Sequence, residues 1–493
     1  MHAWEQLRHF LGRRVIQVIA LAVMLVFVAQ GAVDHKFSVR DNDIWWHLKT
    51  GDWIVEHSAV PQNGLFSWTA ADRPWVAYSW AFEVLLSRAY AWFNLMGLGL
   101  FGVFLTLIIA YLQFWSLRRL SGRFWKAWLL AIGSLYTFLF VIGPRPIFVS
   151  IMFHIVLLTA LLEVNRSGHL KNLYWLPAIF LVWANVHIQF VYGLFVLGLF
   201  VACQIASQWL EKTSVAPAML SPSSLRVKPL LLIFGACVAA TLIGPYTYHL
   251  YQVIFLYSKA KYPYQIIVEL QPLTFRLPNQ FVQLLLTAGG FCAVGWRKKM
   301  DLFKFTLMIA ASFLAFRTLR DCWFVSTTAA AFIADFPAPE LKRDRGESLA
   351  EGGLLLAILG GFLFLLSQND FNERSLDHYA SLEFPVDAVN YLRKHPLPGP
   401  LYNNLDWGGF LTWYMPQFPV AIDGRNDLYG DDLDRVFYQA QSALAYKNDP
   451  YLFRSGFVLL SRKYPLATVL RLDPRFQLMY EDKIAVIFAR RSS

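Results

Sequence analysis

From Val15 to about Ser367 the chain alternates between long apolar runs and shorter polar connections, and after Ser367 that pattern stops. A helical bilayer crossing takes about 20 mostly apolar residues, and runs of this kind predict about eleven crossings. They are expected at Val15–Val33, Gly99–Trp115, Trp128–Ile142, Ile147–Val164, Leu173–Val186, Phe190–Leu210, Leu230–Gly244, Gln280–Trp296, Leu302–Phe316, Trp323–Phe336 and Gly352–Leu366. Two connections are long. The first, Asp34 to about Leu98, holds two stretches with one-sided helical periodicity, Ile44–His57 and Ser79–Phe93, expected to lie along the membrane interface. The second, Pro245–Pro278, is rich in Tyr.

From about Gln368 the period changes. Helices are expected at Pro385–Lys394 and Leu433–Ala445, and strands at Pro400–Asn403, Val420–Asp423, Phe457–Leu460 and Ile484–Ala489. The fold class that follows is a mainly α polytopic membrane protein with a C-terminal soluble α/β domain. Residues 1–367 form the transmembrane part, with 34–98 as its first outer loop, and 368–493 form a domain large enough to fold alone. There is no internal repeat, which argues against the inverted-repeat transporters.

Composition agrees: 56% of the 493 residues are hydrophobic and 16% charged, with a mean hydropathy of +0.41, more apolar surface than one water-soluble core buries. The net charge of +11 could point to nucleic acid. The basic residues, however, cluster beside apolar runs, as Arg118/Arg119/Arg123/Lys126, Arg297/Lys298/Lys299 and Lys342/Arg343/Arg345. That is the positive-inside pattern, and it excludes a nucleic-acid partner. With about eleven crossings every strongly basic short loop falls on one side. The N-terminus is then cytoplasmic and the C-terminal domain extracytoplasmic. Val15–Val33, preceded by Arg8, Arg13 and Arg14, reads as an uncleaved first crossing. The four cysteines fall in or beside crossings and offer neither disulfide nor zinc spacing.

Candidate chemistry concentrates in the 34–98 loop. Asp41-Asn42-Asp43 sets two carboxylates around one residue. Such a pair can share a divalent cation or place a general base at a hydroxyl; it can equally cap the helix beginning at Ile44. Trp45, Trp46, His47 and Trp53 follow, either a platform for sugar faces or an interfacial aromatic belt. Arg145, Asn185, His187, Arg317, Arg320 and Asp321 stand at outer ends of crossings, where they suggest an anion site such as a lipid phosphate, or snorkelling to the interface. Arg317 and Arg320, three apart, would share a face if their helix continues through them. Trp407-Gly408-Gly409 and Asp423-Gly424-Arg425 end strands in the C-terminal domain, where ligand contacts and ordinary turns both occur.

These residues resemble a family of bacterial membrane proteins of the glycosyltransferase C (GT-C) superfamily. The resemblance rests on Asp41-Asn42-Asp43 with Trp46-His47-Leu48 and Thr50-Gly51, on Pro61, Phe66-Ser67-Trp68-Thr69 and Pro74-Trp75, on Arg145-Pro146 and Asn185-Val186-His187, and on Trp407-Gly408-Gly409 with Asp423-Gly424-Arg425. Asp321 is a departure, since similar sequences are expected to carry Asn there. The resemblance implies a protein of the bacterial inner (plasma) membrane that transfers sugar from a polyprenyl-phosphate or polyprenyl-pyrophosphate donor on the outer face. Asp41 and Asp43 match its acidic motif and would be catalytic. Arg145, Arg317 and Arg320 would hold the donor lipid's phosphate, and Trp46, His47, His187, Asp423 and Arg425 would contact substrate. A pyrophosphate leaving group would favour Mg²⁺ or Mn²⁺ at Asp41/Asp43, whereas a phosphate-linked donor often needs no cofactor. The acceptor, glycan, lipid or protein, is not specified. Two rivals stand beside this: a non-enzymatic flippase for lipid-linked sugars, and a scaffold with an outer protein-docking domain. Buried mid-span carboxylates would favour transport, but Glu163 and Asp335 are expected at cytoplasmic ends.

Overall fold

The computed structural model describes residues 2–34, 37–139, 145–212, 220–221, 225–296, 299–336 and 371–491. The eleventh expected crossing, Gly352–Leu366, lies outside them, as do Gly143, Pro144, Arg297, Lys298, Lys342, Arg343 and Arg345. The chain divides into two compact units, one of Met1–His35, Gly102–Gly244 and Glu269–Phe371 and the other of Lys36–Phe101, Pro245–Val268 and Asn372–Ser493.

The first unit is helical. Its helices fall on the expected apolar runs: Phe124–Phe138, Ile147–Ser167, Leu176–Val186, Phe190–Leu210, Val227–Thr241, Pro278–Gly295, Leu302–Arg317 and Cys322–Ala334, with His2–Asp34 before them and the later part of Trp80–Ser121. Among the described residues, four helices are long and apolar enough to cross a membrane: Arg14–Val33, Trp80–Ser121, Ile147–Ser167 and Phe190–Leu210. Others are shorter; Leu176–Val186, at 11 residues, is well short of the about 30 Å of a hydrocarbon core. Leu129, Leu232, Leu285 and Phe313 face outward, as lipid-facing side chains do. Inside, polar groups pair across helices: Gln113 donates to Ser134 Oγ at 2.9 Å. Buried Asp335 accepts from Arg166 and Lys304, and Glu163 from Arg119. The Asp335 charge is matched inside the bundle, and the Arg119–Glu163 pair at its surface.

The second unit joins the 34–98 loop to the C-terminal residues. Its sheet comprises β1 (Leu401–Asn403), β2 (Phe457–Ser461), β3 (Phe476–Glu481) and β4 (Ala485–Arg490), in the order β1-β2-β4-β3. β1 runs parallel to β2, with Leu401 opposite Phe457. β4 is antiparallel to both neighbours. The expected strand at Val420–Asp423 is not one. Val420 makes a single bridge to Ser67, its N–H donating to Phe66 O at 2.8 Å while Trp68 N–H donates back at 3.1 Å. A short buried apolar run reads as a strand in sequence, but here it meets a loop.

A division falls at Phe371/Asn372, and the outer loop groups with the C-terminal residues and supplies part of their core. The helix Ile44–His57 buries Ile44, Trp45, Trp46, His47 and Leu48 rather than lying along an interface. Trp45 is 0% exposed and stands edge-on to Phe384, Phe410 and Tyr414 at ring distances of 5.9, 5.6 and 5.3 Å. Trp68 donates to Leu401 O at 2.7 Å, and Arg73 pairs with Asp432 at 2.6 Å. Tyr246, from the second long connection, donates to Pro61 O at 2.6 Å.

Removing an enclosed indole leaves a cavity that its neighbours cannot fill, at a cost of about 3–5 kcal/mol. Trp45→Ala is expected to lower the thermal unfolding midpoint of the second unit markedly. A segment of residues 372–493 expressed without the 34–98 loop is expected to bind the apolar dye ANS, as a domain with an open core would.

Candidate functional site

The acidic turn is built from its own backbone outward. Asp43 N–H donates to Asp41 Oδ1 at 2.8 Å, closing a tight Asx turn, and Asp43 Oδ1 accepts from Trp46 Nε1 at 3.1 Å. Asp43 stands at the N-cap of Ile44–His57, yet its carboxylate makes no capping bond. The side chain is aimed elsewhere. A Cβ on Gly424 would lie 2.0 Å from Asp43 Oδ1, and one on Gly409 would lie 2.6 Å from Asn42 O. Two glycines thus close on the turn, Gly409 against backbone and Gly424 against the Asp43 carboxylate.

Behind the turn, His47 Nδ1 and Glu83 Oε1 are 2.9 Å apart, both buried. Sequence reasoning missed Glu83. Its signal was an acid on the apolar stripe of Ser79–Phe93, among Phe82, Leu86 and Ser87, all buried. Trp46 is also buried, with its ring tilted over His47 at 3.6 Å, so the expected sugar platform is enclosed by protein.

Asp423 and Arg425, expected at substrate, are closed on each other. The guanidinium grips the carboxylate with bonds of 2.8 and 2.6 Å, both side chains 0% exposed, and lies 4.7 Å from the centre of the Trp75 ring. In this arrangement the pair fixes the Gly424 loop against Asp43.

The first unit holds a separate cluster. The helix Leu302–Arg317 ends at Arg317, because Thr318 is extended at φ −139° and ψ 137°. Arg320 sits on its own turn, Leu319–Asp321. The two arginines therefore do not share a helical face as expected. Instead Arg320 and Arg145 meet on one oxygen of Glu269, Arg145 at 3.2 Å. Burial would raise the Glu269 carboxyl, but Arg320 and then Arg145 outweigh it and hold it at about 2. Glu269 was not legible as a candidate, being one polar residue in a Tyr-rich connection. Asp321 accepts from Thr318 Oγ1 at 2.8 Å. His187, in the turn after Leu176–Val186, bonds to Ser150 Oγ at 2.8 Å. Burial, with the Arg320 charge behind it, keeps that imidazole neutral, its pKa lowered to about 3.

Among the described residues no three His, Cys, Asp or Glu side chains could share a metal ion. At Asp41/Asp43 one oxygen of each carboxylate is already engaged. Mg²⁺ is usually held by one or two carboxylates together with waters and substrate phosphates, so this pair alone would be only part of such a shell. The acidic run on Asn426–Gln441 is no better: Asp431 accepts from Lys261 N–H at 2.9 Å and Asp432 is held by Arg73. Asp434 is buried with neither oxygen bonded.

No family model matches the chain, and no curated protein does. Among solved structures, the chain is similar to ArnT from Cupriavidus metallidurans, crystallised bound to undecaprenyl phosphate. The likeness covers 97% of this chain and 98% of that one, at 12% identity and a TM-score of 0.48. It assigns no residue a role.

Burial, followed by the charges of Asp431, Asp432 and Asp427, pushes the Asp434 carboxyl up to about 8. A carboxyl raised on folding favours the folded state below its unfolded pKa, and that advantage is lost as pH rises through the folded value. Asp434→Asn should match wild type in thermal stability near pH 4 and exceed it by several degrees at pH 9.

Proposed function

We propose that the chain is a membrane glycosyltransferase of GT-C type, transferring a sugar from a polyprenyl-phosphate or polyprenyl-pyrophosphate donor to an acceptor hydroxyl on the outer face of the bacterial inner membrane. The observation that carries this reading is the Asp43 carboxylate. It is held by Trp46 and by the close approach of Gly424, and it is not spent on capping its helix. Such placement suits a general base, which needs fixed geometry more than strength. In the reaction Asp43 takes the acceptor's proton as its oxygen attacks the anomeric carbon from the side opposite the lipid phosphate, which leaves with inversion. Asp41 orients Asp43 through its backbone N–H. The GT-C resemblance gives Arg145 and Arg320 the donor's lipid phosphate, whose charge grows as it leaves. The GT-C resemblance of the acidic turn and of Arg145-Pro146 supports the same roles. Pairing of Glu163 and Asp335 with basic partners supports an enzyme over a flippase, which would want such acids available to cargo.

Transfer from undecaprenyl-phosphate-linked and undecaprenyl-pyrophosphate-linked sugars, in proteoliposomes, tests this. Asp43→Asn is expected to fold normally and to lose about 10²–10⁴-fold in rate. Asp41→Asn keeps a side-chain acceptor for the turn and should lose less. Near wild-type transfer in both variants would remove the acidic turn from the chemistry.

A further inference from the structure

Two guanidinium groups aimed at one point call for an anion there, and in this chain a side chain supplies it. Arg145 Nη1 and Arg320 Nη2 both bond to Glu269 Oε1. Neither arginine relies on Glu269 for its backbone position. Arg145 O accepts from Phe148 N–H at 3.0 Å in the turn that opens Ile147–Ser167. The Arg320 turn is tied by Leu319 N–H to Gln271 O at 2.9 Å and by Asp321 N–H to Thr318 O at 3.3 Å. Glu269 sits on a three-residue turn, Val268–Leu270. The side chains of Arg145, Glu269 and Arg320 keep 23%, 24% and 34% exposure, so water and solutes reach them.

We infer that Glu269 is a placeholder: it fills the anion position between Arg145 and Arg320 until a phosphate ester displaces it. This rests on the donor-phosphate role given to the arginines above. Glu269 offers the two guanidinium groups one shared oxygen. A phosphate presents several oxygens and can give each guanidinium its own, the kind of partner for which arginine is suited. Binding is then an exchange of anions, and its affinity is the difference between two sets of charge-assisted bonds. The exchange needs only a swing of the Glu269 side chain, since Leu319 N–H to Gln271 O and Leu273 N–H to Phe316 O, at 3.4 Å, hold the following residues in place. Two guanidinium groups freed from their carboxylate offer a full second positive charge to the incoming group. A neutral lipid alcohol gains nothing from the exchange.

The test is binding to the full-length protein in nanodiscs, with undecaprenyl phosphate, undecaprenol and inorganic phosphate as separate probes. Glu269→Gln removes the competing charge and is expected to tighten undecaprenyl phosphate about tenfold, the equivalent of one charge-assisted bond, without changing undecaprenol. Glu269→Asp, too short to reach both arginines, should tighten it by a smaller factor, and it decides the matter if the Gln variant does not fold. Tightening of inorganic phosphate as well would mean that the phosphate group suffices. Tightening confined to the lipid would make its headgroup the occupant, and either result supports the exchange. Unchanged or weaker binding in both Glu269 variants, with a tenfold or greater loss in Arg320→Ala, overturns the placeholder and leaves the phosphate role of the arginines intact. Unchanged binding in both Arg145→Ala and Arg320→Ala overturns that role itself.

Discussion

The carboxylate proposed to accept a proton must be held still, and in this chain the holding is done by burial of the residues beside it. Trp45 is enclosed by Phe384, Phe410 and Tyr414, which locks the start of Ile44–His57 into the C-terminal core. The turn ahead of that helix then has no freedom to wander. Gly409 and Gly424 close on Asn42 and Asp43 because neither carries a Cβ, and the buried Asp423–Arg425 pair fixes the loop that brings Gly424 there. A loop carboxylate is thereby placed with the rigidity usually reached only on a helix or strand. The C-terminal residues are part of the apparatus that builds the acidic turn.

The first unit solves a different electrostatic problem. Charges within a helical bundle are costly unless matched, and buried Asp335 is matched by Arg166 and Lys304. The Arg145–Glu269–Arg320 cluster has the same ratio of two cations to one anion as Asp335, but its side chains keep 23%, 24% and 34% exposure. Exposure, not charge ratio, separates this cluster from buried Asp335 and Lys304, which keep 4% and 5%.

The helices of the first unit were legible because long apolar runs have few alternatives in water or lipid. The strands β1, β2 and β4 were legible as short apolar runs bounded by turn residues. β3 was missed: it is an edge strand with most of Phe476–Glu481 outside the core, so its pattern carries little signal. Val420–Asp423 misled for the opposite reason, its apolar run being buried by Ser67 and Trp68 from over 300 positions earlier. The same distance hid the structural use of Trp45 and Trp46, which look like a surface platform until the C-terminal core is seen around them. Asp41 and Asp43 could be picked out by spacing and context. Glu83 and Glu269 could not, because each acquires its meaning from a partner brought in by folding: His47, 36 positions away, and Arg145, 124 positions away.

The central claim is that the position of Asp43, set from the C-terminal residues, governs sugar transfer. A methyl group at residue 424 probes it directly, since it would press on Asp43 Oδ1 at 2.0 Å and on Trp46 Nε1 at 3.1 Å, the ends of two side chains and no backbone atom. Gly235, with open space where its Cβ would be, provides the control. The measurement is kcat/KM for transfer from a lipid-linked sugar in Gly424→Ala and Gly235→Ala, with thermal stability followed alongside. The account predicts a loss of about a hundredfold for Gly424→Ala, the usual cost of moving a catalytic group by about 1 Å, with stability preserved and Gly235→Ala unaffected. Wild-type kcat/KM in a folded Gly424→Ala protein would contradict it.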